Sequence, residues 1–101
     1  MAGIAFIVLA DQSDPAVHRT VLRTPTYDLT VVAVPDYQAA VQVAKELFAE
    51  GIQTIELCGG FGNLGTAEVA RVIPGAHLGV VRFDGHPGFG GASGDTHYTR
   101  R

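Results

Sequence analysis

Four short runs rich in apolar or β-branched residues, each bounded by polar or glycine-containing turns, constrain the fold of this 101-residue chain most strongly. They occupy residues 5–10, 29–34, 52–58 and 78–84, and each predicts a strand. The first run is continuously apolar, which is typical of a strand that is buried on both faces. This first run stops at Asp11, so it is too short to span a membrane.

The clearest helix pattern lies between the second and third runs. A capping residue, Asp36, precedes it, and Gly51 stands where helices commonly end. Apolar residues recur between them at helical spacing, which predicts an amphipathic helix. These residues are Tyr37, Ala40, Val43, Ala44, Leu47 and Phe48.

Strands that alternate with helices predict βαβ units, and therefore a single α/β domain with a mainly parallel sheet. A second, short helix is predicted over residues 66–73. Residues 16–24 fit either a short helix, which we favour, or a strand in a hairpin. The sheet is four-stranded in the first case and five-stranded and mixed in the second. No regular element is readable in the glycine-rich residues 85–101, which we interpret as a tail or lid whose first half packs near Phe61.

The composition limits the partners that this protein can have. Charged residues make up 17% of the chain, against a usual share of about 25%. This deficit suggests that other copies cover part of the surface, as in a homo-oligomer. The net charge of −3 and the absence of a basic run argue against a nucleic-acid partner. No membrane partner is expected either, because the N-terminal apolar run is short. The single cysteine excludes an internal disulfide and favours the reducing cytoplasm.

Two strand ends share one pattern, and they predict the functional site. Cys58 and Asp84 each end a predicted strand, each is followed by glycine, and His86 lies two residues further on. Ligands of open α/β sheets bind beyond the carboxyl ends of the strands. We therefore expect Cys58 to act as nucleophile or acid/base group, His86 as its proton partner and Asp84 as the orienting group. The alternatives are a buried structural cysteine, a turn aspartate and an exposed loop histidine.

Glu56 and Arg82 stand two residues before Cys58 and Asp84, inside otherwise apolar strands. If the two strands are neighbours in matching register, the carboxylate and the guanidinium meet. A buried ion pair would either fasten the strands or set the electrostatics of the site.

The turn over residues 59–65 is rich in glycine and precedes a predicted helix. Its backbone N–H groups, with the positive end of the helix, can hold a carboxylate, a phosphate or a developing oxyanion. We assign substrate binding to Gly59, Gly60, Phe61, Gly62 and Gly65. The turn lacks the lysine of a phosphate-binding P-loop, and a tight turn without a ligand is the alternative.

Residues 55–62 (IELCGGFG) and 81–88 (VRFDGHPG) carry a resemblance to known proteins. With these motifs the chain resembles a family of small prokaryotic proteins of unknown function. The resemblance implies a single-domain member of that family, and it implies no activity, substrate or catalytic residue.

The residues together predict a small cytoplasmic enzyme that acts on a small anionic or carbonyl compound. Isomerase, lyase and hydrolase chemistry all fit Cys58, Asp84 and His86. No cofactor is expected, and the chain has no C-x-x-C, H-x-x-x-H or H-x-H spacing that would support a metal site. The alternatives are a non-catalytic module that binds a small ligand or a metal, and an oligomeric scaffold.

Overall fold

A computed structural model describes residues 3–83 and 85–98 of the chain. These residues form a single α/β domain. Its strands are β1 (Ile4–Leu9), β2 (Arg19–Arg23), β3 (Asp28–Val34), β4 (Thr54–Leu57) and β5 (His77–Val80). Its helices are α1 (Tyr37–Ala49), α2 (Asn63–Val72) and α3 (Gly94–Tyr98), and a short 3-10 helix spans Pro87–Phe89. No helix in the described part of the chain is long and apolar enough to cross a membrane.

The strands form one five-stranded sheet in the order β2-β3-β1-β4-β5. All neighbouring strands are parallel except β2 and β3, which form an antiparallel hairpin. The expected mainly parallel sheet is confirmed in its five-stranded, mixed form.

The helix that we favoured for residues 16–24 is wrong, because residues 19–23 form strand β2. The hairpin turn closes where the Thr24 hydroxyl donates to the carbonyl oxygen of Tyr27 (2.7 Å), and Arg23 pairs with Asp28 across it (2.9 Å). Pairing with β3 satisfies the backbone groups of this edge segment and overrides its weak helical pattern, as tertiary context often does.

Helix α1 matches its sequence pattern closely. The side chain of Asp36 accepts a hydrogen bond from the Ala39 backbone N–H (2.8 Å) and so caps the helix. Gly51 follows with a positive φ of 101°, a conformation that glycine adopts without strain. Helix α2 begins three residues earlier than expected, so Asn63 and Gly65 belong to its first turn.

Helices α1 and α2 pack on one face of the sheet and form a single core with it. The buried strand residues are Ala5, Ile7, Val32, Val34, Ile55 and Leu57, and they meet α1 and α2 residues such as Leu47 and Val69. The expectation that the first strand is buried on both faces is therefore wrong for the described residues.

The opposite face of the sheet carries no helix of the described chain. Because side chains alternate along a strand, the residues between the core positions point to this side. We call this surface the open face, and the strand register assigns to it Ile4, Phe6, Val8, Leu29, Val31, Ala33, Thr20, Leu22, Thr54, Glu56, His77 and Gly79. None of its aliphatic or aromatic side chains packs against the core.

Candidate functional site

The ends of β4 and β5 bring the predicted site residues to the same edge of the sheet. Cys58 and the glycine turn follow β4, while residues 81–83 continue beyond β5, which ends at Val80 rather than at residue 84. The Val81 N–H donates to the carbonyl oxygen of Leu57 (3.0 Å), so the two chain segments still run side by side here.

The expected ion pair between Glu56 and Arg82 is wrong. The register places Glu56 opposite Gly79, so Arg82 lies three residues further along the chain, beyond the end of β5. Both side chains are exposed, and Arg82 instead donates from Nη1 to Oδ1 of Asn63, at the start of α2 (2.7 Å). The guanidinium therefore contributes to the site at the strand ends, and Glu56 lies apart from it on the open face.

Cys58 is half-buried and packs against the core. Its Sγ accepts a hydrogen bond from the Leu9 backbone N–H (3.3 Å), which fixes the thiol beside the end of β1. This environment agrees with the alternative interpretation of a structural cysteine.

His86 lies within a series of ring contacts. It lies between Phe83 and Phe89, with ring centroids at 4.8 and 4.4 Å. Its Nδ1 accepts from the Gly88 backbone N–H (3.0 Å). The neutral ring therefore carries its proton on Nε2, the nitrogen that remains for a ligand. The predicted orienting group, Asp84, lies outside the described residues.

The described part of the tail, residues 85–98, packs over the glycine turn, and a carboxylate from its α3 lies at the first turn of α2. Asp95 accepts hydrogen bonds from the backbone N–H groups of Leu64 (3.0 Å) and Gly65 (3.2 Å). The Tyr37 hydroxyl donates to the same carboxylate (3.0 Å) and accepts from the Gly62 N–H (3.0 Å). The anion that the sequence analysis assigned to the start of this helix is thus supplied by the chain itself.

Two glycines permit this close contact. A Cβ at Gly94 would overlap the carbonyl oxygen of Gly60, and a Cβ at Gly65 would overlap the Tyr37 ring. The Tyr37 ring also contacts Phe61 and Tyr98, with ring centroids at 5.4 Å in both cases. Aromatic packing therefore replaces the aliphatic side chains that the tail lacks. The anchoring contacts come mainly from its second half rather than from the expected first half.

A pocket of about 170 Å³ remains between the glycine turn and the tail. We call it the tail pocket. It is lined by Gly59, Phe61, Gly62, Asn63, Val81, Arg82, Phe83, His86, Ser93 and Gly94. Of the predicted site residues, this pocket unites Gly59, Phe61, Gly62, Arg82 and His86. It does not include Cys58, Glu56, Gly60 or Gly65.

Two tyrosines beside the glycine turn hold their protons more firmly than usual. Burial raises the pKa of Tyr37 well above its ordinary value, and Asp95 adds to this rise. Burial also raises the pKa of Tyr98, to about 12, with a further contribution from Asp11, to which its hydroxyl donates (3.2 Å). Both groups therefore act as neutral hydrogen-bonding anchors over the physiological range.

Two other grooves are larger, but fewer of the predicted site residues line them. A groove of about 560 Å³ lies between α1 and α2 and is lined by Asp36, Glu68 and Arg71 among others. A groove of about 440 Å³ lies over β4 and β5 on the open face. No group of three or more potential metal ligands occurs in the described residues.

Sequence reasoning missed Tyr37, Asn63, Ser93 and Asp95 as residues of this region. Tyr37 fitted the core face of α1, and Asp95 lies in a segment where no element was readable. One signal was present for α3, because Ser93 precedes an acidic residue in the manner of a helix start, and its Oγ accepts from the Asp95 N–H (3.0 Å).

Comparison with known proteins gives a family without an assigned activity. A family model described as "Family of unknown function (DUF6506)" matches residues 2–96. No curated protein and no solved structure matches the chain.

Proposed function

The chain belongs to this family of unknown function, DUF6506, and we propose that it binds a small anionic compound in the tail pocket. The observation that carries the proposal is the position of Arg82. Its guanidinium lines the pocket and is oriented by Asn63 Oδ1 at 2.7 Å. An oriented guanidinium is a preferred partner for phosphate and carboxylate groups, because it donates several hydrogen bonds in a fixed plane.

The surroundings of Arg82 support an anion over a neutral or cationic ligand. The Asn63 amide and the Ser93 hydroxyl add hydrogen-bond donors, and His86, whose Nδ1 is already used, also lines the pocket. A volume of about 170 Å³ accommodates a phosphate or a short carboxylic acid. The larger groove between α1 and α2 fits an anion less well, because the carboxylates of Asp36 and Glu68 line it.

Isothermal titration with inorganic phosphate, and separately with acetate, tests this proposal. We expect saturable binding of at least one anion by the wild type and a tenfold to hundredfold loss in Arg82→Gln. One charge-assisted hydrogen bond contributes about 1.5–3 kcal/mol, and about 1.4 kcal/mol corresponds to a factor of ten.

Arg71→Gln is the matched control, because it removes the same charge at the other end of α2, in a different groove. It should bind the anion as the wild type does. Equal affinities of the Arg82→Gln and Arg71→Gln variants, or no binding by the wild type, would contradict the proposal.

Catalysis on the bound compound is a second proposal, and the fixed orientation of His86 favours it. A ring held between Phe83 and Phe89, with its proton on Nε2, is suited to general acid/base work of the isomerase, lyase or hydrolase type. The thiol of the single cysteine accepts a hydrogen bond from the Leu9 N–H, which fits a structural role rather than that of the reacting group. A free cysteine also fits a cytoplasmic protein.

A panel of small phosphate and carboxylate esters and hydroxy acids, followed by NMR, tests the second proposal. Turnover by the wild type and by Cys58→Ala, with none by His86→Phe, is the expected result. The phenylalanine keeps the ring packing and removes the nitrogens. Turnover that is lost in Cys58→Ala and kept in His86→Phe would contradict this proposal and support Cys58 as the nucleophile instead.

A further inference from the structure

From the chemistry of the open face, we propose that a second copy of this chain packs on it, so that the protein is a homodimer of stacked sheets. The face presents a continuous apolar region on β1, β3 and β2. Phe6, Val31 and Leu22 lie at its centre and edge, and Leu22 remains 58% exposed. Contiguous apolar surfaces of several hundred Å² are rare on monomers and mark interaction sites.

The half-buried apolar residues of this face do not belong to the core cluster on the other side of the sheet. Ile4, Phe6 and Val8 on the central strand are only partly covered, although their neighbours Ala5 and Ile7 are completely buried on the other side. A central strand with aliphatic and aromatic residues on both sides is typical of a sheet that is covered on both sides. The described chain supplies only one cover.

The dimensions of the face suit a second sheet. Five strands spaced about 4.8 Å apart, and about five residues long, give a surface of about 24 by 17 Å. Two such faces have a combined planar area of roughly 800 Å², and the relief of the side chains makes the accessible area larger, so stacking them approaches the roughly 1,000 Å² of a small specific interface. Two sheets stack with side chains interdigitating about 10 Å apart, and a two-fold axis lets one apolar surface serve both partners.

The distribution of charge on the open face favours a second copy of the chain over a lipid surface or a nucleic acid. The ionisable groups of the open face, Glu56 and His77, lie to one side on β4 and β5, where they form a polar rim. An anionic lipid surface or a nucleic acid needs basic residues here, and the protein has a net charge of −3. The low charged fraction of 17% is also what a chain with a covered face is expected to have.

Sedimentation equilibrium of the wild type and of matched lysine variants tests the proposal. The wild type should sediment at twice the chain mass of 10.6 kDa. Val31→Lys should raise the dimer dissociation constant at least about 100-fold, because an ammonium group in the interface must lose its water. Leu22→Lys, at the exposed edge, should raise it less.

Val17→Lys is the control, because Val17 is 68% exposed in the loop before β2 and lies outside the open face. It should leave the dimer intact. Circular dichroism shows whether each variant is folded, and Leu22→Lys decides the matter if Val31→Lys fails to fold. A wild-type protein that stays monomeric at high concentration overturns the proposal. The same holds if the monomer binds neutral lipid vesicles through this face. Folded lysine variants that remain as dimeric as Val17→Lys also overturn it.

Discussion

The carboxylate of Asp95 connects the tail to two parts of the fold at the residue scale. It accepts hydrogen bonds from the Leu64 and Gly65 N–H groups of α2 and from the Tyr37 hydroxyl of α1. It therefore caps α2 from a distance of thirty residues in the sequence. A capping residue that lies next to its helix can be predicted from the sequence. A cap supplied by a residue thirty positions away cannot.

Asp95→Ala should lower the free energy of unfolding by about 2 kcal/mol, since it removes a helix cap and charge-assisted hydrogen bonds. Denaturant titration measures this change. Thr96→Ala is the control, because it changes an exposed residue of the same helix. The same stability in both variants would show that the carboxylate contributes little to docking of the tail.

Tyr98 predicts how stability changes at alkaline pH. Burial, together with Asp11, raises the pKa of Tyr98 in the folded state to about 12, from 10.0 for the ordinary group. The unfolded chain therefore releases this proton first as the pH rises. The stability contributed by Tyr98 is complete below about pH 10 and is lost progressively between about pH 10 and 12.

Tyr98→Phe has no proton to release, so its stability should fall less steeply between pH 10 and 12 than that of the wild type. Denaturant unfolding at a series of pH values gives the two slopes, and Tyr37 contributes equally to both. Identical slopes would mean that Tyr98 ionises alike in the folded and unfolded chains.

At the scale of elements, helix α3 contributes Gly94 to the lining of the tail pocket. Gly94 contacts the Gly60 carbonyl so closely that any side chain would overlap it. Gly94→Ala should therefore detach α3, expose the tail to proteases and abolish anion binding, while the sheet remains folded. Gly79→Ala is the matched control, because nothing lies within 4 Å of the added Cβ. Anion affinity that survives in Gly94→Ala would show that α3 is not a wall of the site.

The sequence predicted those elements whose pattern is local. Helix α1 carries its own cap and periodicity, and β1, β3 and β4 lie in short runs that are rich in apolar or β-branched residues. Strand β2 was assigned wrongly, because its residues 19–23 are exposed and its strand conformation depends on pairing with β3. The pairing of Glu56 with Arg82 failed for a similar reason, since the register of β4 and β5 is set by packing of the whole sheet.

At the scale of the whole molecule, the proposed anion site and the proposed dimer interface lie on separate surfaces of the sheet. The tail pocket lies beyond the carboxyl ends of β4 and β5, where the sequence located the site, although with Arg82 and His86 rather than Cys58 as its chemical groups. The open face lies across the strands, and its apolar part is on β1, β3 and β2. Substitutions at Arg82 and Val31 should therefore affect anion binding and dimerisation independently.

An NMR titration of the isotopically labelled protein with inorganic phosphate or acetate tests anion binding in the tail pocket most directly. We expect saturable changes in the backbone amide signals of the tail pocket, at Gly59, Gly62, Asn63 and Gly94, and their loss in Arg82→Gln. Changes confined to the groove around Gln38 and Arg71, or no saturable change at all, would contradict it.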